Sequence, residues 1–69
     1  MRLSARNQLD GEVVRVDHGA VMSTVLVRLT GGQEVVSAIT RDSAESLGLA
    51  KGDVVKVVFK ATEVMIGKD

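Results

Sequence analysis

Glu34-Val35-Val36-Ser37-Ala38-Ile39-Thr40-Arg41-Asp42-Ser43-Ala44-Glu45-Ser46-Leu47-Gly48 is the stretch that decides the fold, because a strand pattern gives way to a helix signal inside it. Glu34 to Ile39 is rich in β-branched and apolar residues and reads as a strand. Asp42-Ser43-Ala44-Glu45 then has the spacing of a capping box, with Asp42 accepting from the first free N–H groups and Glu45 reaching back. The helix so started is short, ending near Leu47. Gly48 serves as the residue just past its end, and Leu49 packs back on the turn.

Strand signals lie on both sides of this stretch. Upstream, Gln8 to Val16 carries Leu9, Gly11 and Val13 on one parity and Val14 and Val16 on the other, with Gly11 marking a bulge or a close approach. Asp17-His18-Gly19-Ala20 reads as a turn with His18 at its tip, and Val21 to Leu29 as a second strand. Thr30-Gly31-Gly32-Gln33 is then a hairpin loop, with no Gly-x-x-x-x-Gly-Lys pattern to make it a phosphate cradle. Downstream, Lys51-Gly52-Asp53 turns the chain into Val54 to Lys60, and Ala61 marks the corner before a fifth strand, Thr62 to Ile66. Five strands with one short helix between the third and fourth give an all-β chain with the element order of an OB-like barrel.

At 69 residues the chain reads as a single domain, residues 1–69. A chain of this size leaves roughly 40% of its unfolded surface exposed and is marginal without a staple. Cysteine is absent and histidine occurs once, so disulfides, thiolate sites and a histidine-rich metal centre are excluded. Oligomerisation remains. Val25-Leu26-Val27, Val54-Val55, Val57-Val58-Phe59 and Val64-Met65-Ile66 are continuous apolar runs, which in strands implies cover on both faces, and one short helix cannot cover an outer face. No stretch approaches the roughly 20 apolar residues of a membrane span, and the first residues lack a signal-peptide core, which points to the cytoplasm.

The chemistry left open is narrow. There is no nucleophile motif, no closely spaced His and carboxylate, and no dinucleotide fingerprint, so the chain does not read as an enzyme. A nucleic-acid-binding OB module remains the alternative, although Phe59 is the single aromatic and nine cations balance nine anions, leaving no stacking platform and no basic excess. A purely structural oligomer is the bland third reading. Small-anion binding fits better. Ser4 and Arg6 share a face in an extended backbone, Arg6 offering a rigid fork of donors and Ser4 a rotatable hydroxyl. Lys60 and Ala61 near the other end add a second cation and an unobstructed backbone N–H. A partly buried oxyanion needs charge-assisted donors of this kind.

Ser4-Ala5-Arg6-Asn7-Gln8-Leu9 with Gly11, Ile39-Thr40 before Asp42-Ser43, Leu47-Gly48-Leu49 with Gly52, and Lys60-Ala61-Thr62-Glu63-Val64-Met65 together resemble the molbindins, the small molybdate-binding Mop proteins of the TOBE domain family. The resemblance spans nearly the whole chain. It implies a cytoplasmic homohexamer of OB-like subunits that holds molybdate or tungstate at subunit interfaces for storage and metal homeostasis, without catalysis, membrane or nucleic acid. Carried over by position, Ser4, Arg6 and Lys60 bind the oxyanion oxygens and Ala61 offers its N–H, so the metal is held by hydrogen bonds and not by direct protein ligation.

Overall fold

The computed structural model describes residues 2–69. β1 (Asn7–His18), β2 (Met22–Leu29), β3 (Glu34–Thr40) and β4 (Val54–Phe59) form one antiparallel sheet in the order β3-β2-β1-β4, with α1 (Arg41–Ser46) between β3 and β4. The sheet curls around Val13, Val25 and Val27, with Val16, Ile39, Leu49, Val55 and Val57 packed against them.

β1 is the spine, pairing with β2 along its second half and with β4 along its first. Its register against β2 shifts between Val13 and Arg15, so the bulge lies at Val14 and not at Gly11. An extra residue of this kind sharpens the local twist and helps the sheet curl. Gly11 is instead a point of close approach: a Cβ there would lie 2.5 Å from Val27 Cγ1 and 3.0 Å from the Arg28 carbonyl oxygen. The turn before β4 closes on the same strand, Gly52 N–H donating to Val13 O at 2.8 Å and Val13 N–H to Asp53 O at 2.9 Å.

α1 begins two residues earlier than its sequence suggests. Thr40 is the cap, its hydroxyl oxygen accepting from Ser43 N–H at 3.1 Å. Because β3 stays paired through Thr40 opposite Met22, the helix starts directly at the end of the ladder, which puts Asp42 inside the first turn. There its charge still complements the helix dipole. Glu45 does not reach back, because Arg41 Nε holds its Oε1 at 2.7 Å. The other end follows expectation: Gly48 has φ +61°, its N–H donates to Glu45 O, and Leu49 N–H donates to Ala44 O, the paired bonds of a Schellman turn.

The expected fifth strand is absent among the described residues. Ala61–Glu63 instead form a 3-10 turn, which we label η1, and the residues after it join no strand. A tight hairpin after Phe59 needs positive φ in its loop, and Lys60-Ala61-Thr62-Glu63 has no glycine or asparagine to supply it. Val64, Met65 and Ile66 are therefore 44, 92 and 90% exposed. The apolar runs likewise have one face in the core and one in solvent, Val36 and Val54 being exposed beside half-buried neighbours.

Candidate functional site

β1 begins at Asn7 and β4 ends at Phe59, and these two residues are partners in the ladder. Arg6, entering β1, and Lys60, leaving β4, therefore flank the same open end of one strand pair. Ala61 follows Lys60 as the first residue of η1, and its N–H donates to no backbone acceptor among the described residues. Such leading N–H groups are free by construction. Ser4 sits at a bend in the segment leading into β1.

Charge marks this corner, although Arg2, Lys51 and Lys68 are likewise outside every ion pair among the described residues. Arg15, Arg28, Arg41 and Lys56 are matched with Asp17, Glu34, Glu45 and Asp10 at 2.6 to 3.1 Å. Arg6 and Lys60 take part in no ion pair among the described residues, and both are exposed. Two uncompensated cations beside one ladder end repel each other, and an anion between them removes that repulsion.

The segment carrying Ser4 and Arg6 is pinned at one point. Gln8 Nε2 donates to the Ala5 carbonyl at 3.1 Å, a half-buried bond that closes the approach to β1. In the sequence Gln8 is one polar residue among several, and its role is missed there; an amide three residues beyond a turn carbonyl is the only signal it offers. His18, expected at a loop tip, ends β1, with Nδ1 2.7 Å from the hydroxyl of Ser23, a buried residue. It lies at the last position of β1 before the β1–β2 turn, at the opposite end of the strand from Arg6.

A cleft of about 710 Å3 opens between Asp10, Glu12, Arg28, Thr30 and Lys51, and an apolar one of about 260 Å3 opens over Val13, Val25, Ile39, Leu49 and Val57. None of the four expected residues lines either of these two clefts. Ser4, Arg6, Lys60 and Ala61 are all exposed, so the single chain does not enclose the Arg6–Lys60 corner. No cluster of His, Cys, Asp and Glu able to hold a metal ion occurs among the described residues. No helix there is long and apolar enough to cross a membrane.

Residues 3–66 match the model of the TOBE domain. The chain belongs to the TOBE domain family. Molybdenum-pterin-binding protein 3 of Clostridium pasteurianum is 47% identical to this TOBE domain over 66 residues, which cover 96% of the chain and 97% of that relative. The solved molybdate-binding protein from Sporomusa ovata superposes with a TM-score of 0.93 at 40% identity, covering 99% of this chain and all of that one. The cytoplasmic molybdate-binding protein ModG, solved with molybdate bound, superposes with a TM-score of 0.84 at 43% identity, over 88% of this chain and 43% of its own. The molbindin resemblance read from the motifs is borne out, and four strands with one helix are consistent with the OB-like fold of these neighbours.

Proposed function

We propose that this TOBE domain binds molybdate or tungstate as the free oxyanion, in the cytoplasm, as a store and not as a catalyst. The observation that carries the reading is the pairing of Asn7 with Phe59, which leaves Arg6 and Lys60 uncompensated at one ladder end beside the free Ala61 N–H. Arg6 and Lys60 supply charge-assisted donors; Ser4 and the Ala61 N–H supply neutral ones. The names of the relatives point to molybdate, and tungstate is added as a tetrahedral dianion of nearly equal size.

The openness of this corner adds a second element. A dianion gains most from these donors where water is excluded, and the exposed corner of one chain does not exclude it. A second copy of the chain closes the site, so anion binding and assembly into a homo-oligomer, in the family manner a hexamer, reinforce each other. Pterin, which relatives carry in their names, finds little here, because Phe59 is the only aromatic and is half-buried in β4.

Calorimetry of the purified chain with molybdate, tungstate and sulfate, without pterin, tests the reading. Tight binding of the first two and weak binding of sulfate is the expected result, since the smaller dianion leaves donors underused. Binding only when pterin is added, or salt-sensitive binding of a labelled oligonucleotide in place of molybdate, overturns it.

A further inference from the structure

We propose that Gln8 is a positioning residue for the oxyanion site, acting through the Ala5 carbonyl; this rests on the reading of the site given above. Three features of the chain support it. Ser4 and Arg6 lie outside β1, so no ladder bond orders them. Gln8 lies inside β1, held opposite Val58, and its backbone is therefore fixed by the sheet. Its side chain reaches back three residues to the peptide between the two donors, Nε2 to Ala5 O at 3.1 Å, and is the only side chain among the described residues that hydrogen-bonds to residues 2–6.

The physical consequence concerns entropy. A segment entering a strand from a bend keeps two soft torsions per residue, and an anion that requires Ser4 and Arg6 in one arrangement must order them on binding. The amide transfers part of that ordering to the unliganded protein. An amide is well matched to this role, since a carbonyl only accepts, the amide nitrogen donates, and neither carries a charge that would compete with the anion for Arg6. Glutamate at this position could not donate and would add a negative charge beside the cation.

The closing experiment uses the full chain with Gln8→Met, which keeps length and volume and removes the donor, with Arg6→Ala measured alongside. Gln8→Met is expected to weaken molybdate binding about fivefold, as loss of one net hydrogen bond predicts. The melting temperature of the anion-free protein and its sedimentation should stay as in the unaltered chain, and amide exchange at residues 4–6 should quicken. The preference for molybdate over sulfate should narrow, because loosened donors no longer favour one anion size; a general folding defect weakens both anions alike. Unaltered affinity in Gln8→Met beside weakened Arg6→Ala overturns this inference alone. A loss in Gln8→Met that tracks a lower melting temperature and spares selectivity also overturns it. Unaltered binding by Arg6→Ala overturns the site reading, and this inference with it.

Discussion

Asn7 faces Phe59 on the last rung of the β1–β4 ladder, and the two cations just beyond that rung, Arg6 and Lys60, have no carboxylate to answer them among the described residues. Within the strands every cation is matched; Asp10 and Lys56, for example, are opposite in the same ladder and joined at 2.6 Å. The unmatched end is where the anion is expected. Arg6→Ala and Lys60→Ala each remove a charge-assisted partner of roughly 1.5 to 3 kcal/mol, so each should weaken molybdate binding about tenfold to a hundredfold. Both positions are exposed, so folding should be unaffected. Calorimetry with sedimentation checks both statements, and unchanged affinity in both variants would move the site elsewhere.

Gly11 is required by space. A methyl at this position would meet Val27 Cγ1 at 2.5 Å, in a residue only 3% exposed, with the Arg28 carbonyl oxygen at 3.0 Å on the same side. Neither neighbour is the free end of a flexible chain. Gly11→Ala should therefore destabilise by about 1 to 3 kcal/mol, the usual cost of overpacking. Chemical denaturation measures it, and a neutral effect would mean that β1 and β2 separate more easily than their pairing implies.

The succession of the first four strands along the chain and the end of the helix were legible because each rests on a local signal: the Thr30–Gln33 loop, the valine runs, and Gly48 at the helix end. The last strand was not. Val64-Met65-Ile66 has the composition of a strand, but strand formation needs a partner, and the chain leaves β4 through a 3-10 turn in place of a hairpin. Gly11 was legible as a special position without revealing which kind, since bulge and close approach both ask for glycine. Among the site residues, the charges of Arg6 and Lys60 could be read directly. Their adjacency could not, because it depends on the register between two strands far apart in the chain. Gln8 was illegible for another reason: its partner is a backbone carbonyl, which every residue possesses.

Thr40 and Asp42 make a test of the helix start. Thr40 accepts from Ser43 N–H at 3.1 Å, whereas Asp42 lies in the first turn and makes no side-chain hydrogen bond among the described residues. Thr40→Ala should cost about 1 kcal/mol, and Asp42→Ala only the smaller dipole contribution of roughly 0.3 to 1 kcal/mol. The reverse order in denaturation midpoints would restore Asp42 as the cap.

Glu45 gives the chain a pH-dependent contact. The hydrogen bond from Arg41, and then the charge of Arg41, hold its carboxyl below the usual carboxylate range, with a smaller contribution in the same direction from His18. A group whose pKa is lowered by folding stabilises above its unfolded pKa and loses that effect as pH falls through the folded one. Glu45→Gln should thus melt slightly below the unaltered chain at neutral pH and converge with it in acid. The contact is exposed, so the difference should be small and should shrink in high salt. A difference that grows towards low pH contradicts the assignment.

Met65 and Ile66 carry the argument for assembly. They are 92 and 90% exposed, Val36 and Val54 are 65 and 84% exposed, and among the described residues only Val13, Val25, Val27 and Ala44 are buried apolar residues. Burying one large aliphatic side chain is worth about 1.5 to 3 kcal/mol, so the uncovered residues represent a gain comparable with the whole stability of a small domain. The sheet also has two open edges, β3 and β4, and an edge with apolar neighbours invites pairing with another chain. The unaltered chain is therefore expected to sediment as an oligomer at micromolar concentration. A Met65→Asp, Ile66→Asp double variant places two charges in the tail and should shift it towards smaller species. Because neither side chain touches the core of its own subunit, the strand pattern should survive, which circular dichroism can follow. Molybdate binding should fall in parallel with assembly if a second copy closes the Arg6–Lys60 corner. Full binding by a monomeric variant would show that one chain suffices and that the exposed tail serves something other than the anion.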